Sequence, residues 1–168
     1  MNKLVFAAII AASLAPAAAM AAASKADKAF ITDAIQGNLA EIQMGQLAQQ
    51  KGQNDAVKSF GQMLVSDHQA NNQKATEFAN QLGVTPPTQP SAKQKAAYDK
   101  LSKASGAAFD RQFARMMVMD HKQDIAKFQR EAKKTKDPLG QYASDSLPVL
   151  KKHLAAAEKI ESGKSASR

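Results

Sequence analysis

Two stretches of the chain, FGQMLVSDHQANNQK (60–74) and FARMMVMDHKQDIAK (113–127), carry the same pattern and decide the fold. Apolar residues recur in both at intervals of three and four, which is the period of an amphipathic helix. Aligned at an offset of 53 residues, the stretches share F-x-x-M-[LM]-V-x-D-H-x-x-[ND]-x-x-K. Two helices with one pattern indicate a bundle with approximate twofold symmetry, an arrangement in which sites are built from facing helices.

Helical patterns continue on both sides of this repeat, and strand patterns are nearly absent. The segment 84–90 holds three of the six prolines and predicts a crossover loop, followed by a short helix over residues 91–105. Pro148, inside the last helix, should kink it. The sequence therefore predicts an all-α, antiparallel four-helix bundle with a short extra helix in the crossover between the second and third long helices. The long helices are expected at about 25–51, 54–82, 106–134 and 138–161.

All three histidines of the protein fall at one depth of this bundle. With a rise of ~1.5 Å per residue, measured from the end where the first helix meets the second, Glu41, His68, His121 and His153 lie at depths of roughly 15, 21, 20 and 22 Å. Imidazole and carboxylate groups that converge from four helices are the donors that divalent transition metals require. We therefore expect a metal layer of these four residues. Asp67, Asp120 and Asp124 would orient the rings or complete the shell.

A metal-free layer, in which aspartates satisfy the histidines by hydrogen bonds, remains the alternative to this site. If a metal binds, zinc or iron is expected first and copper second. Thioethers favour Cu(I), and five methionines lie near the layer, but they also suit the core: Met44, Met63, Met116, Met117 and Met119. The sequence has neither a glycine-rich phosphate loop nor a serine nucleophile with its base, so we assign no catalytic residue and expect no organic cofactor.

The first 23 residues have the form of a secretory signal peptide. Lys3 precedes an apolar run, and Ala21 and Ala23 satisfy the small-residue rule for cleavage before Ser24. An earlier cut before Met20 is also possible, and an uncleaved membrane anchor is the alternative. We expect a periplasmic or secreted protein with a single domain over 24–162, a disordered tail over 163–168, and no stable membrane insertion after cleavage.

The basic residues are spread along all helices and no aromatic residues interleave with them. Without Lys3, the 23 Lys+Arg fall to 22, which against 15 Asp+Glu leaves a charge of +7. This distribution does not indicate a nucleic-acid surface, so no nucleic-acid partner is expected. With no cysteine, disulfides and thiolate ligands are excluded.

Four stretches closely resemble domain-of-unknown-function family 4142: NLAEIQMGQLAQQKG (38–52), VKSFGQMLVSDH (57–68), GAAFDRQFARMMVMDH (106–121) and LPVLKKHL (147–154). The resemblance covers about residues 27–161. It implies an exported bacterial protein with a ferritin-like four-helix bundle, of a kind sometimes labelled a predicted outer-membrane protein. The motif residues of the family fall on Glu41, Asp67, His68, Asp120, His121, Pro148 and His153. The family has no settled activity to transfer.

The ferritin analogy suggests di-iron chemistry, but this chain departs from its usual ligands. Only five glutamates follow residue 23, and the repeat reads His-x-x-Asn and His-x-x-Asp in place of Glu-x-x-His. A mononuclear site is therefore favoured over iron storage. Three functions stay open: a metal-binding bundle in metal handling or envelope stress, which is preferred; a structural or interaction bundle with an unknown envelope partner; and a metal-dependent enzyme, which is less favoured.

Overall fold

The computed structural model describes residues 23–163, which form five helices and no strand within that range. They are α1 (Lys25–Lys51), α2 (Asp55–Gln81), α3 (Ala92–Ser102), α4 (Gly106–Glu131) and α5 (Pro138–Glu161). The predicted all-α fold, with a short helix between the second and third long helices, is confirmed. The predicted signal peptide and tail fall almost wholly on residues 1–22 and 164–168, which lie outside the described residues.

Side-chain caps set the beginning of four of these helices. Ser24 and Ser91 each form a reciprocal capping box, while the side chains of Asn54 and Asp137 accept hydrogen bonds from backbone N–H groups of the first turn. Each cap satisfies amide groups that have no partner inside the helix. At the other end of α2, Gly83 has a φ of +65°, which a residue with a Cβ rarely adopts.

The four long helices form two hairpins. The most extensive packing joins α1 to α2 and α4 to α5, whereas the contacts between the hairpins are less extensive. Helix α3 lies against α1 and α4. Helix α5 continues through Pro148, where the sequence predicts a kink. No helix within residues 23–163 has the length and the apolar character needed to cross a membrane.

The apolar interior is divided into two clusters, one toward each end of the bundle. One cluster includes Phe60 and Phe113, and the other includes Phe30 and Phe128. Along each long helix, buried polar residues lie between the positions that belong to the two clusters, and these are Asn38, Glu41, His68, His121 and His153. The fold therefore places one buried polar layer across the middle of the bundle.

Candidate metal centre

Three helices bring the three histidines together in this layer. One potential ligand nitrogen from each of His68 (α2), His121 (α4) and His153 (α5) lies within 4.8 Å of the other two. All three side chains are buried, with exposures of 4%, 1% and 0%. Buried imidazoles at this spacing need hydrogen bonds, a metal or both. Their hydrogen-bond partners therefore decide what the site can hold.

The outer nitrogen of each ring contacts a hydrogen-bond acceptor. Nδ1 of His68 lies 2.9 Å from Oδ1 of Asn38, and Nδ1 of His121 lies 2.9 Å from the carbonyl oxygen of Met117. Nε2 of His153 lies 2.9 Å from Oδ2 of Asp67. Because Oδ1 of Asn38 also accepts from the Asn71 amide, it is an acceptor for His68 as well. Each of these three ring nitrogens must therefore carry a proton and donate it.

A neutral imidazole has only one N–H, so the opposite nitrogen of each ring carries a lone pair. These nitrogens are Nε2 of His68, Nε2 of His121 and Nδ1 of His153. Nε2 of His121 and Nδ1 of His153 lie 3.3 Å apart. Nε2 of His68 is buried and has no hydrogen-bond partner. The centre thus holds unprotonated nitrogens whose partner is a proton or a metal ion.

Burial keeps the three rings neutral. It lowers the pKa of His121 from its usual 6.5 to about 4, with a further lowering by His153. Burial also holds the pKa of His68 well below 6.5, and it lowers that of His153 despite the hydrogen bond to Asp67. For Asp67, burial raises the pKa, but hydrogen bonds from Lys152 and His153 outweigh it and the net pKa is lowered. An ionised Asp67 next to neutral rings is the charge state that metal ligation requires.

Replacement of His121 by asparagine should change the pH dependence of the stability of the metal-free protein. The folded-state pKa of His121 is about 4, below the usual 6.5, so the unfolded chain takes up this proton first as the pH falls. The corresponding stability is complete above about pH 6.5 and is lost between about pH 6.5 and pH 4. The free energy of unfolding of the wild type relative to His121→Asn should therefore decrease by on the order of 3 kcal/mol between about pH 7 and pH 4, measured by urea denaturation with chelator.

Asp124 has the opposite effect on the pH dependence of the free energy of unfolding. The wild type must therefore be compared with a variant that retains Asp124. Burial raises its pKa from 3.8 to about 6, although Lys127 lowers it, so its contribution favours the folded state at low pH. Both proteins retain Asp124, so its effect cancels in the difference between them. A difference that stays constant with pH would show that His121 is protonated equally in the folded and unfolded states.

Glu41 does not lie in the histidine group. It belongs to the same layer, but its side chain lines a cavity with Asp120 and Asp124, and none of the three histidines lines that cavity. Burial, followed by the charges of Asp120 and Asp124, raises the pKa of Glu41 well above 4.5. Burial raises that of Asp120 as well, against an opposing effect of Lys93. Of the four predicted carboxylates, Asp67 is the one that contacts the histidine group.

The depth of Glu41 along the bundle was predicted from its position in α1, but the side of the helix toward which it faces was not. Distance along a helix axis does not specify rotation around it, and an error of one residue turns a side chain by about 100°. The roles of Asn38 and of the Met117 carbonyl as hydrogen-bond acceptors were not predicted from the sequence. Asn38 offered a signal, because it is a polar residue on the apolar stripe of α1, one turn before Glu41.

The methionines near the layer belong mainly to the core. Met44 and Met117 are buried members of one apolar cluster, and Met63 and Met116 pack against it. Met119 is 56% exposed. The methionines therefore lie in the core or at the surface, and the donors identified at the centre are nitrogens.

A cleft between α2 and α5 reaches the histidine group from the surface. Its volume is about 520 Å³, and both Asp67 and His68 line it, together with apolar side chains such as Phe78 and Leu150. Its lining on α5 extends from Pro138 to Leu150, the segment that contains Pro148. The cleft therefore contacts one histidine of the group, His68, and the hydrogen-bond partner of another, Asp67.

A second group of acidic side chains lies elsewhere in the bundle. Asp27, Glu131 and Asp137 have oxygens within 4.8 Å of one another. Lys134 forms salt bridges with Asp27 and with Glu131, the latter at 2.9 Å. Asp137 is also the N-cap of α5. Two of these carboxylates are therefore paired with the ammonium group of Lys134, and the third has a structural role as a helix cap.

Comparisons with known proteins agree with this architecture. The solved structure of a DUF305 fragment from Deinococcus radiodurans has a TM-score of 0.72 to this protein and 14% sequence identity. The similarity covers 84% of this chain and 98% of that one, and at this identity it shows the fold alone. No curated protein matches the chain. The family model described as domain of unknown function DUF4142 matches residues 12–160. The chain therefore belongs to the DUF4142 family.

Proposed function

We propose that this protein binds one divalent transition metal ion through His68, His121 and His153, and that it acts in metal handling or stress protection in the bacterial envelope. The observation that supports this most strongly is the hydrogen bonding of the three rings. Each ring donates through one nitrogen to an oxygen acceptor, which leaves the other nitrogen unprotonated. Histidines that ligate metals are held in this way by their outer partners.

The spacing of the free nitrogens also supports a metal. Tetrahedral ligands at about 2.0–2.1 Å from zinc lie about 3.3 Å from one another. Nε2 of His121 and Nδ1 of His153 are 3.3 Å apart, and the group lies within 4.8 Å, so small side-chain movements of His68 would complete the set. Without a metal, the lone pairs of Nε2 of His121 and Nδ1 of His153 face each other at 3.3 Å, and Nε2 of His68 has no hydrogen-bond partner.

Imidazole donors suit zinc, iron and copper, and we expect zinc or iron first and copper second because the methionines, whose thioethers favour Cu(I), belong mainly to the core. Three protein ligands leave one tetrahedral position for water or a small ligand, and the cleft at His68 and Asp67 offers the route to it. A metal held in this way can be exchanged, as a handling role requires. The envelope location depends on the predicted signal peptide over residues 1–23.

Elemental mass spectrometry of the untagged mature protein tests the proposal. We expect near one metal ion per chain, and much less in His68→Asn, His121→Asn and His153→Gln. In the first two variants the amide nitrogen takes the place of Nδ1 and keeps the hydrogen bond to Asn38 or Met117, while Nε2 is lost. In His153→Gln the amide takes the place of Nε2 and keeps the hydrogen bond to Asp67, while Nδ1 is lost.

Asp67→Asn is the matched control that keeps all three ligands. It should retain metal with an affinity reduced about 10–100-fold, because an outer partner is weakened and no ligand is removed. Circular dichroism verifies that each variant stays helical. If the wild type binds no metal after incubation with zinc, iron and copper salts, the proposal is wrong and the layer is a hydrogen-bonded core network of a structural or interaction bundle.

A further inference from the structure

A cavity of about 300 Å³ lies between α1, α3 and α4, on a part of the bundle that the histidine group does not reach. Its walls carry four carboxylates, Asp33, Glu41, Asp120 and Asp124, and two lysines, Lys93 and Lys127. We call it the acid cavity. When all of these groups are ionised, four carboxylates and two ammonium groups carry a formal charge of −2, and in that state the cavity attracts cations.

Glu41 points to a ligand in this cavity. Its side chain is 5% exposed, and its Oε2 atom is buried without a hydrogen-bond partner. Leaving a buried carboxylate unpartnered is costly, since its lost hydration is not replaced. Within residues 23–163 no lysine or arginine forms a salt bridge with Glu41. Without a cation, Glu41 avoids this cost by holding a proton, and a divalent cation in the cavity would replace that proton.

Of the two lysines of the cavity, Lys127 is paired with carboxylates other than Glu41 and Asp120. Nζ of Lys127 lies 3.2 Å from Asp33 and 4.0 Å from Asp124. Lys93 is exposed and forms no salt bridge among the described residues. Glu41 and Asp120 form no salt bridge with either lysine, although the charge of Lys93 acts on Asp120, so these two carboxylates remain for an incoming cation.

The size of the cavity and the oxygen donors indicate the kind of cation. The volume corresponds to roughly ten water molecules, far more than a bare ion needs. Glu41, Asp120 and Asp124 are not among the groups whose ligand atoms lie within 4.8 Å of one another. Mg²⁺ keeps several of its waters and is bound through one or two carboxylates, which suits both facts.

We propose that the acid cavity is a second cation site, in which Glu41 and Asp120 hold a hydrated divalent cation of the magnesium type. The two sites differ in donor chemistry, because carboxylates and water suit Mg²⁺ and Mn²⁺ whereas imidazole suits zinc. This proposal does not depend on metal binding by the histidines.

Titration with Mn²⁺, followed by the electron paramagnetic resonance signal of the free ion, tests the proposal in the mature protein. The titration is made with one equivalent of zinc present and again without zinc. In both cases we expect one Mn²⁺ per chain, displaced by excess Mg²⁺. Glu41→Gln keeps the size of the side chain and removes its charge, and it should weaken Mn²⁺ binding at least about tenfold. Mg²⁺ should also raise the melting temperature of the wild type and not that of Glu41→Gln.

Glu77→Gln is the matched control, because Glu77 lines the α2–α5 cleft and is not part of the acid cavity. It should bind Mn²⁺ as the wild type does. Absence of Mn²⁺ binding, or equal binding by Glu41→Gln and the wild type, would overturn the proposal. Binding that disappears when zinc is present would also overturn it, since Mn²⁺ would then occupy the histidine site. If zinc does not bind the histidines, Mn²⁺ binding by the wild type and its weakening in Glu41→Gln still test the acid cavity.

Discussion

Zinc at a thousand times its dissociation constant is expected to raise the free energy of unfolding of this protein by about 4 kcal/mol. A ligand that binds the folded state and not the unfolded chain stabilises the fold by mass action. The three histidines are 53 and 32 residues apart in sequence, so the unfolded chain presents no preformed site. Urea denaturation at fixed protein concentration, once with zinc and once with chelator, measures this increase in the free energy of unfolding.

The position of the histidines explains why the whole bundle should gain this stability. His68 belongs to the α1–α2 hairpin, whereas His121 and His153 belong to the α4–α5 hairpin. Packing between the hairpins is less extensive than packing within them. A metal ion bound by all three would join the two hairpins within the polar layer. The two apolar clusters lie on either side of that layer and do not hold the hairpins together there. We therefore expect one cooperative transition, shifted as a whole by zinc.

His68→Asn provides the control for this prediction. It keeps a donor to Asn38 and removes the ligand nitrogen, so the zinc increment should fall close to zero while the variant stays folded. An equal increment in the wild type and the variant would place the stabilising zinc elsewhere. The acid cavity and the group of Asp27, Glu131 and Asp137 would then be the regions to examine.

The helices could be predicted closely because their ends are marked in the sequence. The expected first helix, 25–51, has the bounds of α1, and Asn54 and Asp137 cap α2 and α5 as expected. The short helix ends at Ser102, before the expected 105, and α4 ends at Glu131, before the expected 134. Helix ends without a strong stop signal fray, so their limits depend on tertiary packing.

The depth of the site along the bundle could be predicted from the sequence, but the direction in which each side chain faces could not. The rise per residue places histidines from three helices at one depth, and these residues lie together in the structure. It does not tell whether Glu41 faces the histidines or α3, because that depends on the rotation of α1 in the bundle. The ring tautomers were also inaccessible, since they depend on acceptors such as the Met117 carbonyl that no sequence pattern reveals.

Gly45→Ala is expected to destabilise the protein by about 3 kcal/mol, near the upper end of the usual cost of overpacking. A Cβ at Gly45 would lie 2.5 Å from the carbonyl oxygen of Gly61, and a Cβ at Gly61 would lie 2.6 Å from that of Gly45. These contacts are reciprocal and involve backbone, which cannot rotate away as a side chain can. An added methyl group must therefore push α1 and α2 apart at the place where they pack most closely.

Gly37→Ala makes the same chemical change in the same helix and serves as the control. A Cβ at Gly37 would have no atom within 4 Å, so only the helix preference of alanine acts there. That preference should stabilise the protein by up to about 1 kcal/mol. The two variants should thus change the free energy of unfolding in opposite directions, as measured by urea denaturation with chelator. If Gly45→Ala is as stable as the wild type, the glycines are not what lets the two helices approach, and the α1–α2 packing accommodates a methyl group.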